Sequence, residues 1–364
     1  MRRARCGGVL LLLMAVGLVA QEPAAVPASS LLTRLSARDV TIEQARDVAG
    51  RLRDHTLPVR TSLYDALRKA YTDQRQQCDR SREHVLQRFA KAVPATQQDL
   101  LGKGGEAKVD AARRAARSIT ARQDLSKEMI HAELDPLLAD LRGRLLPTSA
   151  QVFAHEPELT AEVEALRQKV AALDAWCDLC LEAAHQLDAE PDGRRHVERA
   201  GLPPLPPSDR GLDDEFARAC LYALDLGAAD RRALEDNEAL RDHLDAEEFA
   251  GTLELNRIRM ALGQNALRID EKLGNAGRDH SKDMATLGFF AHESPVEGKR
   301  TFSDRASRAG TSASAENIAA GQSTGAGAIE AWWYSPGHHK NMLGSHGRTG
   351  LGRYDQTWTQ MFGG

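Results

Sequence analysis

The stretch Ala331-Trp-Trp-Tyr-Ser-Pro-Gly-His-His-Lys-Asn-Met342 is the most informative part of this chain. It places three neighbouring aromatic residues before a Ser-Pro-Gly turn signal and two adjacent histidines. Aromatic residues make up only 5% of the sequence, and they are concentrated toward the C-terminal end. This end is therefore predicted to be a domain with a core chemistry of its own.

Several phrases on either side extend the pattern. The stretches 253–263 and 270–288 have helical spacing of apolar residues and each ends at a glycine, which is typical of a helix C-terminus. Three phrases follow these helices, Phe289-Phe-Ala-His292, Phe302-Ser-Asp-Arg305 and Ala315-Glu-Asn-Ile-Ala319. Two segments near the end suit β-strands, Thr349-Gly-Leu-Gly352 and Trp358-Thr-Gln-Met-Phe-Gly363. Alternating helix and strand segments indicate a mixed α and β domain.

In this order, the phrases resemble the bacterial branch of the CAP superfamily (SCP-like proteins), which includes cysteine-rich secretory proteins, antigen 5 and group-1 pathogenesis-related proteins. The resemblance covers residues 247–364 and none of the preceding chain. It implies an α+β fold, an α-β-α sandwich in which a small antiparallel sheet lies between helical layers, with a cleft on one side.

The resemblance also implies a cleft that gathers histidines and acidic residues. Carried over by motif, these are His292, Glu316 and His338. Many eukaryotic relatives have a glutamate three residues after the tryptophan, where this chain has Ser335. The remaining candidates are a poor substitute acid and two supporting amides, namely Glu330, Asn317 and Asn341.

Two imidazoles and one carboxylate allow three interpretations. They could be ligands of a divalent metal such as zinc, with water in the fourth place. They could act as general acid and base, because histidine titrates near neutral pH. They could also form a structural hydrogen-bond network with the two asparagines. His339 is expected to be exposed, with an extra ligand as the alternative.

The common hydrolase signatures are missing from the sequence. It has no Gly-x-Ser-x-Gly elbow and no His-Glu-x-x-His motif. Ser294 and Ser335 lie near the two histidines, but each precedes a proline, which favours a turn over a nucleophile.

The chain before the CAP-like part is predicted to be helical, as a bundle or coiled coil. Residues 21–200 are rich in Ala, Leu, Arg and Glu. Apolar residues from Leu159 to Leu187 recur in steps of four and three, which is the seam of a bundle helix and suggests self-association. Glycines at 102, 104 and 105 indicate a break. Residues 201–246 begin with a proline-rich stretch from Gly201 to Gly211, which excludes helix, followed by short helices.

Residues 1–20 have the basic start and short apolar run of a cleaved signal peptide, so a secreted or periplasmic protein without a transmembrane anchor is expected. The net charge of -4 argues against a nucleic-acid partner. Cys78, Cys177, Cys180 and Cys220 remain after cleavage. Export permits a disulfide, but Cys177 and Cys180 fall on the apolar seam, which favours core packing over a disulfide, a metal site or a redox site.

The resulting hypothesis is an exported SCP-like protein whose cleft binds a ligand, such as a lipid or a cell-envelope component. The alternatives are a metal-dependent hydrolase or peptidase that uses His292, Glu316 and His338, and a helical scaffold that carries the CAP domain as a passenger.

Overall fold

A computed structural model describes residues 26–37, 39–206 and 209–364, without the side chains of residues 209 and 210. The predicted signal peptide, residues 1–20, lies outside them. The segment before the C-terminal domain is helical, as its composition predicts. Its helices are α1 (Ala28–Leu35), α2 (Ile42–Gly50), α3 (Leu57–Leu101), α4 (Gly105–Thr120), α5 (Lys127–Met129), α6 (Asp135–Leu145), α7 (Ser149–His155), α8 (Pro157–Asp188), α9 (Pro191–Ala200), α10 (Asp209–Tyr222) and α11 (Ala228–Leu240), with 3-10 turns at Leu52–Asp54 and Arg241–His243 and a π turn at Ile130–Leu134.

The predicted breaks lie between these helices. Helix α3 ends at the glycine cluster, where Gly102 and Gly104 both have positive φ angles. Residues 201–206 are not helical, as the prolines require. Helix α10 already begins at Asp209, however, so Gly211 lies inside a helix and not in the extended stretch. A glycine near a helix start costs too little to prevent helix formation.

The apolar seam of α8 is buried within one chain. Each seam residue from Leu159 to Leu187 is at most 5% exposed. The seam residues are therefore buried by packing inside the chain, as in a bundle helix.

The cysteines are buried. Cys177, Cys180 and Cys220 are free thiols, and burial raises the pKa of Cys180 to about 12 and that of Cys220 to about 11. Such thiols stay protonated at neutral pH, which disfavours metal binding and thiol exchange. The structure therefore supports core packing for these three residues.

The C-terminal domain is an α-β-α sandwich built from α12 (Ala246–Ala261), β1 (Arg268–Ile269), α13 (Glu271–Leu287), α14 (Phe302–Arg308), β2 (Ala315–Ala320), α15 (Gly325–Trp333), α16 (Pro336–Met342), β3 (Arg348–Tyr354) and β4 (Thr357–Gly363). The strand order is β1-β3-β4-β2. Strands β2, β3 and β4 pair antiparallel, whereas β1 pairs parallel with β3. The sheet is thus mixed and not purely antiparallel, because the long connection from β1 to β3 lets the edge strand run in the same direction.

Glycines in β3 explain how tightly α13 lies on the sheet. A Cβ atom added at Gly350 would lie 2.1 Å from the backbone N of Gly274, and one at Gly352 would lie 2.1 Å from that of Arg278. Only glycine permits this approach of helix to strand. The two glycines of the Thr-Gly-Leu-Gly phrase are therefore required for the close packing of α13 on β3.

The core of the C-terminal domain extends across the predicted boundary at residue 247. The chain has two compact units, one with the described residues up to Cys78 and Lys169–Pro206, the other with Asp79–Gln168 and the described residues of Pro207–Gly364. In the second unit, residues of α4 to α6 share one buried cluster with the CAP-like part. On the helical side these are Val109, Ala112, Ala116, Leu125, Ile130, Leu134, Leu138 and Leu141.

Among the residues that the structure describes, no helix is both long and apolar enough to cross a bilayer.

Candidate functional site

The candidate site lies at the free edge of the sheet, where β2 is the outer strand. Glu316 and Asn317 are consecutive on β2, so their side chains point to opposite faces of the sheet. Glu316 meets Arg305 of α14 and His292 on one face, and Asn317 meets residues of β4 and α16 on the other. His292 and His338 approach each other at this edge, one from each side.

A buried ion pair supports the site. Glu316 and Arg305 have side chains that are each 1% exposed, and the Arg305 guanidinium donates to Glu316 Oε2. Arg305 also donates to the backbone carbonyl oxygens of His292, Lys299 and Arg300 at 3.0, 2.8 and 3.2 Å. A single buried arginine therefore ties the loop after α13 to the sheet. This role of Arg305 was not predicted, because nothing in the Phe-Ser-Asp-Arg phrase marks its arginine as buried.

His292 is oriented by the carboxylate. Its Nδ1 lies 3.0 Å from Glu316 Oε1, and its side chain is 50% exposed. A carboxylate only accepts hydrogen bonds, so Nδ1 carries the proton and donates it. In the neutral ring Nε2 is then the basic nitrogen, and the remaining exposure of the ring gives a ligand access to it.

His338 is the neighbour of this ring. The two ring centroids are 5.9 Å apart in an edge-to-face arrangement. His338 is half-buried, and burial, with a smaller effect of His292, lowers its pKa. The neutral form of His338 is therefore favoured at neutral pH.

The two asparagines form the predicted hydrogen-bond network. Asn341 donates to the backbone oxygen of Glu316 at 3.1 Å and to Asn317 Oδ1 at 2.9 Å. Asn317 donates to Gln360 Oε1 at 3.2 Å and to the His338 carbonyl at 3.4 Å. These bonds fasten α16 to the sheet.

The geometry does not fit the three-ligand metal centre. Both oxygens of Glu316 are already engaged, one by His292 and one by Arg305. In the described part of the chain, no group of three or more His, Cys, Asp or Glu side chains has the arrangement of a metal site. Glu316 is placed to orient His292.

The other candidate residues are structural or lie elsewhere. Ser294 is buried, and its hydroxyl accepts from the Val296 backbone N, which is the turn that its proline predicted. Ser335 precedes the first residue of α16 and makes no side-chain capping bond. Glu330 is exposed on α15 and lines another hollow with Trp333 and Tyr334.

His339 is fully buried, contrary to the expected exposure. Its Nδ1 donates to the Trp333 carbonyl at 2.9 Å, and its Nε2 lies 3.4 Å from the Thr120 hydroxyl. The physical reason is that neighbours on a helix point about 100° apart, so His338 faces the His292 ring while His339 faces the core. Burial lowers the pKa of His339 to about 4.

The burial of the neutral His339 ring makes the folded protein less stable in acid. Because the folded-state pKa is about 4 and the unfolded value is 6.5, the unfolded chain binds the proton first as pH falls between them. We expect the free energy of unfolding to fall by up to about 3 kcal/mol from this residue between pH 6.5 and 4. Urea unfolding at several pH values should show a flatter dependence for His339→Gln than for wild type. The exposed His84→Gln is the control, and equal slopes for both variants would contradict the expectation.

A second buried histidine was also missed. His280 on α13 is fully buried, and its Nε2 donates to the Ala291 carbonyl at 3.1 Å. Burial, with the Arg305 charge, lowers its pKa. Together with Arg305 it holds the loop that carries His292. Its spacing of four residues from both Ala276 and Met284 places it on the apolar face of α13, and this spacing was a signal of its burial.

Comparisons with known proteins identify relatives of part of this chain. A model of the cysteine-rich secretory protein (CAP) family matches residues 253–362. The uncharacterized protein YkwD of Bacillus subtilis (strain 168) is 35% identical over 110 residues, which are 29% of this chain and 43% of that protein. A solved structure, an extracellular protein containing a SCP domain from Bacillus anthracis str. Ames, is 33% identical, with a TM-score of 0.31, over 32% of this chain and 40% of that chain.

The chain thus spans less than half the length of either relative. The family match covers the segment that holds His292, Glu316 and His338. The α-β-α sandwich and the order of the sequence phrases agree with that match. The C-terminal part of this chain is a CAP domain of the bacterial type.

Proposed function

We propose that this protein is exported and binds a polar cell-envelope component in the cleft of its CAP domain, through the imidazoles of His292 and His338. The single observation that carries the proposal is the bond from His292 Nδ1 to the buried Glu316 carboxylate, which leaves Nε2 as the basic atom of an exposed ring. Export rests on the signal-like pattern of residues 1–20.

The chemistry of the two rings selects the ligand class. The positive charge of Arg305 balances the Glu316 carboxylate, and the lowered pKa of His338 favours the uncharged form of the His338 ring. The neutral His338 ring has one nitrogen that can accept a hydrogen bond from a ligand. Ligands with hydroxyl and amide donors suit such acceptors, and peptidoglycan fragments carry both.

Titration of the isotope-labelled full chain with soluble muropeptides tests the proposal. We expect the ring signals of His292 and His338 to shift in NMR spectra. His292→Gln should weaken binding about tenfold, since a lost hydrogen bond to a ligand is worth about 1 kcal/mol or somewhat more. His84→Gln, an exposed histidine on α3, is the matched control and should bind as wild type does. Unshifted ring signals at millimolar muropeptide would contradict the proposal.

One observation favours a hydrolase as the second candidate. A carboxylate that orients an imidazole is the arrangement of a general base, and His292 has this partner in Glu316. A base of this kind would activate water, since Ser294 is engaged in a turn. Release of new reducing ends or amines from muropeptides, lost in Glu316→Gln, would favour this candidate over binding alone.

A further inference from the structure

The helices that precede the CAP domain contact the segment that carries His338. Helices α4 and α6 lie outside residues 253–362, the part of the chain that matches the family. They nevertheless place two polar side chains, Thr120 and Asp135, against the Trp-Trp-Tyr-Ser-Pro-Gly-His-His phrase.

Asp135 makes the main polar contacts between these helices and the Trp-Trp-Tyr-Ser-Pro-Gly-His-His phrase. The indole Nε1 of Trp333 donates to Asp135 Oδ1 at 2.8 Å, and the hydroxyl of Tyr334 donates to Oδ2 at 3.0 Å. His131 lies one turn earlier, with its Nδ1 3.1 Å from Oδ2 and its ring stacked on Tyr334 at 4.0 Å between centroids. One carboxylate therefore fixes the end of α15 through two consecutive aromatic residues.

The helix is irregular at this point. Residues Ile130–Leu134 form a π turn directly before Asp135. A π turn adds one residue to the helical turn and rotates the residues after it about the helix axis, and such turns recur at functional positions. Here the turn precedes the residue that receives both aromatic donors.

The contact continues into α16. His339 donates from Nδ1 to the carbonyl of Trp333, and its ring lies 4.3 Å from the Trp333 ring between centroids. Its other nitrogen faces the Thr120 hydroxyl. A chain of contacts thus runs from Asp135 through Trp333 to His339, the neighbour of His338.

We infer that Asp135 is a positioning residue. It holds Trp333 and Tyr334 and thereby fixes the placement of His338 on α16. The helical segment is then part of the site and not a carrier for it. The functional importance of this placement rests on the proposed binding at His338, but the placement itself is measured without any ligand.

Acylation of the full chain by diethylpyrocarbonate, followed histidine by histidine in mass spectra, tests the inference. We expect Asp135→Ala to raise the rate at the half-buried His338 several-fold. His292, which is held by Glu316, and His280, which is fully buried on α13, should react as in wild type. The control is Asp140→Asn on the same helix, whose carboxylate pairs with Arg144 on the surface and whose loss should leave His338 unchanged.

Each outcome decides the matter. An unchanged rate at His338 in Asp135→Ala, or the same rise in Asp140→Asn, overturns the inference. A rise at His280 as large as that at His338 also overturns it, because it reports general loosening and no specific positioning. Should Asp135→Ala not fold, Tyr334→Phe removes only the hydroxyl bond to Asp135 and should raise the His338 rate in the same direction. Muropeptide binding that is unaffected while the His338 rate rises would count against the proposed function alone.

Discussion

A fragment of residues 247–364, made without the preceding helices, is expected to aggregate or to unfold far below the melting temperature of the full chain. The reason is the shared core, because α4 to α6 contribute six large buried side chains: Val109, Leu125, Ile130, Leu134, Leu138 and Leu141. At about 1.5–3 kcal/mol for each buried side chain, the packing lost with these helices is about 9–18 kcal/mol. A typical domain is stable by only about 5–15 kcal/mol.

Light scattering and thermal unfolding of the fragment and the full chain measure this effect. In the full chain, Leu134→Ala should cost about 2–5 kcal/mol, whereas Leu287→Ala, at a position that is 58% exposed, should cost little. A monomeric fragment that unfolds cooperatively near the full-chain temperature would show that the CAP domain is independent of these helices.

Arg305→Met is expected to lower the free energy of unfolding by about 3–5 kcal/mol, since it leaves Glu316 buried without its ion-pair partner. It also removes the donor of three loop carbonyls, so His292 should lose its fixed position. Urea unfolding measures the first effect, and the NMR signals of the His292 ring measure the second.

The matched control is Arg300→Met, five residues earlier. Arg300 pairs with Glu293, but these side chains are 73% and 67% exposed, and such surface pairs are worth about 0–1 kcal/mol. Replacing Glu316 by Leu in the Arg305→Met background should restore part of the stability, because it removes the unpaired charge. Equal losses in the two single variants would mean that the buried pair contributes no more than a surface pair.

The sequence was sufficient for elements whose causes are local. Gly288 lies directly after α13 and Gly263 lies two residues after the end of α12, close to the predicted helix ends, and the two predicted strand segments lie in β3 and β4. The resemblance to CAP proteins also led to the family of the C-terminal part, which the match over residues 253–362 confirms.

What the sequence did not reveal depends on contacts between distant residues. The apolar faces of α4 and α6 predict burial but do not specify which part of the chain covers them, so the shared core crossed the predicted boundary. His338 and His339 have the same chemistry, and only the fold shows that His338 lies beside His292 whereas His339 is buried in the core. Arg305 has the composition of a surface residue until β2 brings Glu316 against it.

The strand order has a consequence for the timing of assembly. Strand β4 is synthesised after the other three, yet it occupies an interior place between β3 and β2. Residues 315–320 therefore have no strand partner in this sheet until residues 357–363 have left the ribosome. A nascent chain of this protein therefore remains without a closed sheet during elongation, and the domain acquires its final form only after its last strand has emerged.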